Sequence, residues 1–224
     1  MTMDLNGIFN PQNKFFMFME KVMNLCLLGI LWALFSLPVI TVGASTAALF
    51  QYTLRLTRDE EGYVWKSFWN AFKKNFVPAT MVWAAAAAAG LFLVADLYCC
   101  QFLPFPGAVK WAVRVLLGSL IFVYLLTIIY VFPLTAFFKI SVKKTIKDAF
   151  VMAMGNLYVS VTVLVIYALC AFLTWYFTEL FMIWFAFGSY LASHLLRRVF
   201  EKYMEGDVEI AGEEGENVNK IVKK

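Results

Sequence analysis

A chain of 224 residues that is 62% hydrophobic and only 15% charged is too apolar for an ordinary soluble domain. One polytopic membrane domain is the economical reading, and the net charge of +4 says less than where the charges fall. Cys26, Cys99, Cys100 and Cys170 lie inside or at the ends of apolar runs without metal-type CxxC spacing, so they read as small buried hydrophobes. The adjacent pair Cys99-Cys100 leaves a redox or lipidation role open.

In chain order, Phe15, Phe16, Phe18 and Met19 suggest a short interfacial helix leading into the first span. Residues 22–42 carry no charge and supply the roughly 20 apolar residues that a bilayer-crossing helix needs. A cleaved leader is the alternative, since Lys21 precedes the run and Val42-Gly43-Ala44 could be cut. The run is too long for that, holds Pro38 and is followed by further spans, so it reads as a retained helix. Pro38 removes a backbone donor and crowds the preceding turn, which predicts a kink or early stop. The freed carbonyl needs a partner inside the protein, with Ser36 or Thr41 at hand, and Gly43, Ala44, Ser45 and Ala47 leave room for a neighbouring helix. Leu37 to Ala44 is thus expected to be a packed turn on which the other spans assemble; otherwise the proline merely marks a helix end. Residues 45–57 are too short and one-sidedly polar to cross, with Gln51, Arg55 and Arg58 opposite Leu49, Phe50 and Leu54, and read as a surface helix.

Asp59-Glu60-Glu61-Gly62 breaks this helix, and acids here favour the start of the next. In residues 64–76 Trp65, Phe68, Trp69, Phe72 and Phe76 gather opposite Lys66, Asn70, Lys73 and Lys74, the pattern of a helix lying flat among lipid headgroups. An aromatic-plus-basic nucleic-acid surface has little standing beside so many spans. Span two is 77–95, with alanines at 84–89 followed by Gly90, a face on which backbones pack closely. Span three is 108–132, with Arg114 near its start and Pro133 ending it. A second basic amphipathic segment follows, carrying Lys139, Lys143, Lys144 and Lys147. Residues 157–193 hold one charge, Glu179, and as one helix would extend about 55 Å against a core of about 30 Å, so they fold back into spans 157–174 and 180–196. The membrane domain is expected to close at about residue 200, leaving 201–224 as a charged, disordered tail. Leu37-Pro38 and Phe132-Pro133 each precede an amphipathic basic segment and a span, which fits either a parallel duplication or coincidence.

With five spans, 15 lysines and arginines fall on the side of segments 43–76, 134–156 and 197–224, and 4 on the other. The bias of basic residues toward the cytoplasm then predicts an external N-terminus and a cytoplasmic C-terminus. The rival is a re-entrant hairpin over 22–57, which returns the N-terminus to the cytoplasm. The lone His194 reads as a packed helix-end histidine. No HExxH, phosphate loop or dinucleotide fingerprint is present, and Gly43-Ala44-Ser45-Thr46-Ala47 falls one residue short of a nucleophile elbow. Glu20, Asp96 and Glu179 lie near span ends, away from the midplane where a proton-coupled pump holds its acids. This inventory predicts no enzyme, no cofactor and no metal site.

The segments SLPVITVGASTAAL (36–49), RDEEGY (58–63), SFWNAFKKNF (67–76) and YVFPL (130–134) together resemble the YesL family of bacterial integral membrane proteins, whose activity is not established. The resemblance covers most of residues 5–200. It implies a Gram-positive cell membrane and a role beside carbohydrate import, as an accessory or assembly subunit contacting permeases of an ABC importer or copies of itself. A small-solute carrier or channel, and a membrane-bound sensor or regulator, are the alternatives. Asp148-Ala149 followed by Gly155 is only a faint echo of the permease coupling loop.

Overall fold

A computed structural model describes residues 14–60, 62–100, 102, 106–138 and 141–222, the last stretch beyond residue 203 by its backbone alone. Seven α-helices are formed among the described residues: α1 (Lys14–Ser36), α2 (Val42–Leu56), α3 (Val64–Cys99), α4 (Gly107–Phe137), α5 (Val142–Gly155), α6 (Leu157–Tyr176) and α7 (Phe181–Val222). Four of them, α1 from Phe15, α3, α4 and α6, are long and apolar enough to cross a bilayer by length and composition. The chain is an all-α polytopic membrane protein. The expected fifth span, 180–196, forms the start of α7, whose apolar stretch ends at Arg197-Arg198. The α7 backbone stays helical through 201–222, where composition suggests a disordered tail.

The first span differs most from expectation. α1 ends at Ser36 rather than Val42, because the residue preceding a proline is pushed out of the helical region, and Pro38 (φ −75°, ψ 120°) opens a single 3-10 turn, Val39–Thr41. The Thr41 hydroxyl lies 2.6 Å from the Phe35 carbonyl and 2.7 Å from that of Pro38, satisfying carbonyls the broken helix leaves behind. α2 then runs back along α1. Ser36 Oγ sits 2.6 Å from Ser45 Oγ, Trp32 Nε1 donates to Thr46 Oγ1 at 3.1 Å, and Lys21 Nζ meets Asp59 Oδ1 at 2.7 Å. These pairs fix an antiparallel hairpin. The 15 residues of α2 reach only about 22 Å, short of a bilayer core of about 30 Å.

α2 is therefore no surface helix. All of Gly43–Phe50 is buried, and so are Tyr52, Thr53, Leu54 and Leu56; only Arg55 and, in part, Gln51 look outward. It divides two cores. Ala44, Ala47, Ala48 and Leu49 pack with Leu25 and Leu28 of α1 and Phe68, Phe72 and Ala79 of α3. Phe50 and Leu54 pack with Tyr130 and Leu134 of α4, Ala153 of α5, Val163 of α6 and Leu196 and Phe200 of α7. The amphipathic pattern that suggested a water-facing helix instead records one polar edge on a helix enclosed by protein. Asp59, with φ 55°, turns the chain out of α2: Glu60 N–H donates to Arg55 O (3.2 Å) and Asp59 N–H to Leu56 O (3.3 Å), a Schellman cap.

Three other expectations change. The basic segment 64–76 is not a separate helix lying flat, since α3 runs unbroken through Pro78 for 36 residues, about 54 Å. Phe68 and Phe72 of its aromatic side turn inward onto the hairpin, while Trp65 and Phe76 stay exposed. Pro133 does not end the third span, because α4 carries it within the helix as far as Phe137. The external N-terminus is not supported either. Lys21 meets Asp59, and Arg197 donates to Thr57 O at 2.6 Å, so the start of α1, the end of α2 and the Arg197 turn of α7 share one end of the bundle. The hairpin is the arrangement that returns the chain. That end holds Lys21, Arg55, Arg58, Lys66, Lys74, Arg197 and Arg198, while Lys110 and Arg114 lie at the opposite end of α4.

Candidate functional site

The hairpin is flanked by an apolar cavity toward the bilayer and a polar cleft at the basic end. The cavity, about 490 Å³, lies between Trp32, Thr46 and Phe50 of the hairpin, Trp83 and Ala87 of α3, Tyr124 and Ile128 of α4, Tyr167 of α6 and Phe185 of α7. Most of its polar groups already have partners. Tyr124 donates to Ala86 O at 2.8 Å, Tyr167 Oη lies 3.1 Å from Ser189 Oγ, and Trp32 Nε1 is held by Thr46. The wall suits a hydrocarbon chain or an apolar side chain far better than a hydroxylated solute, whose own polar groups would go unpaired.

Close backbone approach builds these walls. A Cβ on Gly43 would lie 2.4 Å from Trp83 Cβ and 2.6 Å from Ala79 O, and one on Gly29 would lie 2.5 Å from Met182 O. Small residues let helices meet at such distances, since lipid supplies no hydrophobic force to press them together. The alanine run of α3 divides by face. Ala86, Ala87 and Gly90 turn toward α4, whereas Ala84, Ala85, Ala88 and Ala89 are exposed. The sequence marks this run as a packing face; here only half of it is packed within the chain.

In the last turn of α1, Phe35 sits among Trp65, Phe68, Trp69 and Phe72 of α3, with ring centroids 6.3, 5.7, 5.4 and 5.2 Å away. Lys73 lies over the Trp69 ring at 4.7 Å and Arg58 over Phe137 at 5.0 Å. Lys66 and Lys74 line a cleft of about 290 Å³ with Arg55, Gln51, Ser67 and Asn70. Asn75 Nδ2 donates to Gln51 Oε1 at 2.7 Å beneath it. The hydrogen bond from Lys21, then its charge, holds the exposed Asp59 carboxyl below its ordinary range.

Of the residues singled out by sequence, Pro38 and Thr41 stand at the hairpin tip, and Gly43, Ala44, Ser45 and Ala47 are buried in α2. Trp65, Lys66, Trp69, Lys73 and Lys74 gather on the first turns of α3. Pro133 lies apart in α4, buried near α5. Gly29, Trp32 and Tyr124, and the buried pair Thr53 Oγ1···Ser193 Oγ at 2.7 Å, join the site only in the structure. Their signal was available as isolated polar or small residues inside apolar runs, which hold membrane helices together.

The family model described as "Protein of unknown function, DUF624" matches residues 25–97, which span the hairpin and most of α3. The chain is 28% identical over 198 residues to "Uncharacterized protein YesL" of Bacillus subtilis (strain 168), covering 85% of this chain and 90% of that protein. No solved structure matches it. The two matches agree, and they bear out the resemblance to the YesL family, membrane proteins of unknown function, that the segments around the hairpin and the first turns of α3 carry.

Proposed function

We propose that the protein is an accessory subunit of the bacterial cell membrane that binds a transmembrane helix of a carbohydrate ABC importer permease along the exposed alanine face of α3. The single observation behind this reading is the exposure of Ala84, Ala85, Ala88 and Ala89 on a spanning helix. Two small residues four apart, repeated on adjacent rows, leave a groove into which a second helix fits at short distance. Carbohydrate import comes from the family resemblance alone, and the choice of a permease follows from it. The apolar cavity weighs against the carrier alternative, because its wall is mainly apolar and most of its polar groups are already paired. In this reading the basic end faces the cytoplasm, by the excess of lysine and arginine there, so the hairpin enters from and returns to that side.

A photo-crosslinking residue at Ala85 in native membranes tests the proposal. An adduct with a carbohydrate-importer permease that is lost in Ala89→Trp supports it. An adduct only with another copy of this chain, or none above that formed from Met23 on α1, overturns it.

A further inference from the structure

We propose that the cleft between α2 and the first turns of α3 is a binding site for a phosphoryl group. Arg55 from α2 and Lys66 and Lys74 from α3 converge on a hollow of about 290 Å³ whose remaining polar lining is Gln51, Ser67 and Asn70, with no carboxylate among them. Like charges brought together repel, and several other cations at this end of the bundle are engaged. Lys21 pairs with Asp59, Arg197 with Glu201 and the Thr57 carbonyl, and Arg58 and Lys73 lie over aromatic rings. Among the described residues, Arg55, Lys66 and Lys74 form no ion pair. The nearest carboxylate in the adjoining hollow, shared by Arg55, Lys74 and Arg58, is Glu60.

The floor of the cleft is also set for an anion. Asn75 is almost fully buried and donates to Gln51 Oε1, which turns that oxygen toward Asn75 and leaves the Gln51 N–H donors for the cleft. A ligand here meets a guanidinium fork, two ammonium groups, amide N–H groups and a hydroxyl, which together match an oxyanion with several acceptor oxygens. The site lies at the basic end, its Lys66 and Asn70 adjoining Trp65 and Trp69 in sequence, and indole rings beside basic residues are favoured where a membrane meets water. A phospholipid headgroup and free phosphate share this chemistry. The proposal does not depend on the accessory role.

The whole chain in alkyl-maltoside micelles, which bring no phosphoryl group, provides the test, with thermal unfolding and Trp fluorescence as readouts. One arm raises the fraction of phosphatidylglycerol; the other adds inorganic phosphate. A saturable rise in midpoint is expected, with half-saturation moved at least tenfold by Arg55→Gln and by Lys74→Gln, and unmoved by Lys143→Gln with Lys144→Gln on α5. Lys66→Gln, on an exposed side chain, replaces Arg55→Gln if the latter lowers the ligand-free midpoint. Saturation by phosphatidylglycerol alone identifies a lipid headgroup, and by inorganic phosphate a soluble ligand; either supports the site. Saturation in neither arm, or an equal loss in the α5 variant, overturns it.

Discussion

Gly43→Ala is a sharp perturbation because it adds one methyl group at the most crowded point of the bundle. The new Cβ would stand 2.4 Å from Trp83 Cβ, 2.6 Å from Ala79 O and 2.9 Å from Trp83 Cδ1. Carbon atoms in good contact sit about 3.5–4.0 Å apart, so α2 and α3 must separate by about 1 Å or more. Two of the three opposing atoms belong to backbone or to a Cβ, so no rotamer change relieves the contact. Overpacking of this kind costs typically about 1–3 kcal/mol, and the upper half of that range is expected here. Gly118→Ala is the matched control, since a Cβ there meets nothing within 4 Å and the change should stabilise α4 slightly. Equilibrium unfolding in mixed micelles reads both variants. Gly43→Ala unfolding like wild type, with Gly118→Ala also unchanged, would refute the close α2–α3 contact on which the fold description rests.

Other consequences can be measured alongside. Tyr124→Phe removes the bond to Ala86 O and should cost about 0.6 kcal/mol, the average for such interhelical bonds in membranes, without changing the far-UV spectrum. Thr53→Val leaves Ser193 bonded to the Ser189 carbonyl, so it should cost less than about 2 kcal/mol, and the double variant with Ser193→Ala should cost less than the sum of the two. The Asp59 carboxyl is held below its ordinary range, so the tie to Lys21 is present above that range and is lost as pH falls through the depressed value. Protection of the amides at the start of α1, measured against the intrinsic exchange rate at each pH, should therefore fall on acidification in wild type, and Asp59→Asn should show the lowered protection at every pH.

How much of this was legible follows from what each residue reports. The apolar runs of α3, α4 and α6 are long and nearly uncharged, and length alone places such helices in a bilayer. Pro38 announced a break, and Thr41 was named as a partner for a freed carbonyl; both stand as local chemistry dictates. The fate of α2 was hidden because amphipathicity records that one edge is polar, not whether water or protein covers the other side. Arg55 and Arg58 gave α2 the look of a surface helix, yet its apolar face meets two cores. Without a return through α2, a crossing at 22–42 puts the N-terminus opposite the basic segments, whereas the hairpin brings the start of α1 to the basic end. The basic cleft escaped notice because Gln51, Arg55, Lys66 and Lys74 come from two helices, and only the packing of α3 against α2 brings them together.

The central claim is that α1 and α2 form a hairpin whose two ends lie on one side. Single cysteines placed at Glu20, Glu60, Gly107 and Lys144 in a background lacking Cys26, Cys99, Cys100 and Cys170 test it, by labelling with an impermeant maleimide in right-side-out and inverted vesicles. The hairpin predicts that positions 20, 60 and 144 label together from one side and position 107 from the other. Labelling of position 20 from the same side as position 107 would contradict it.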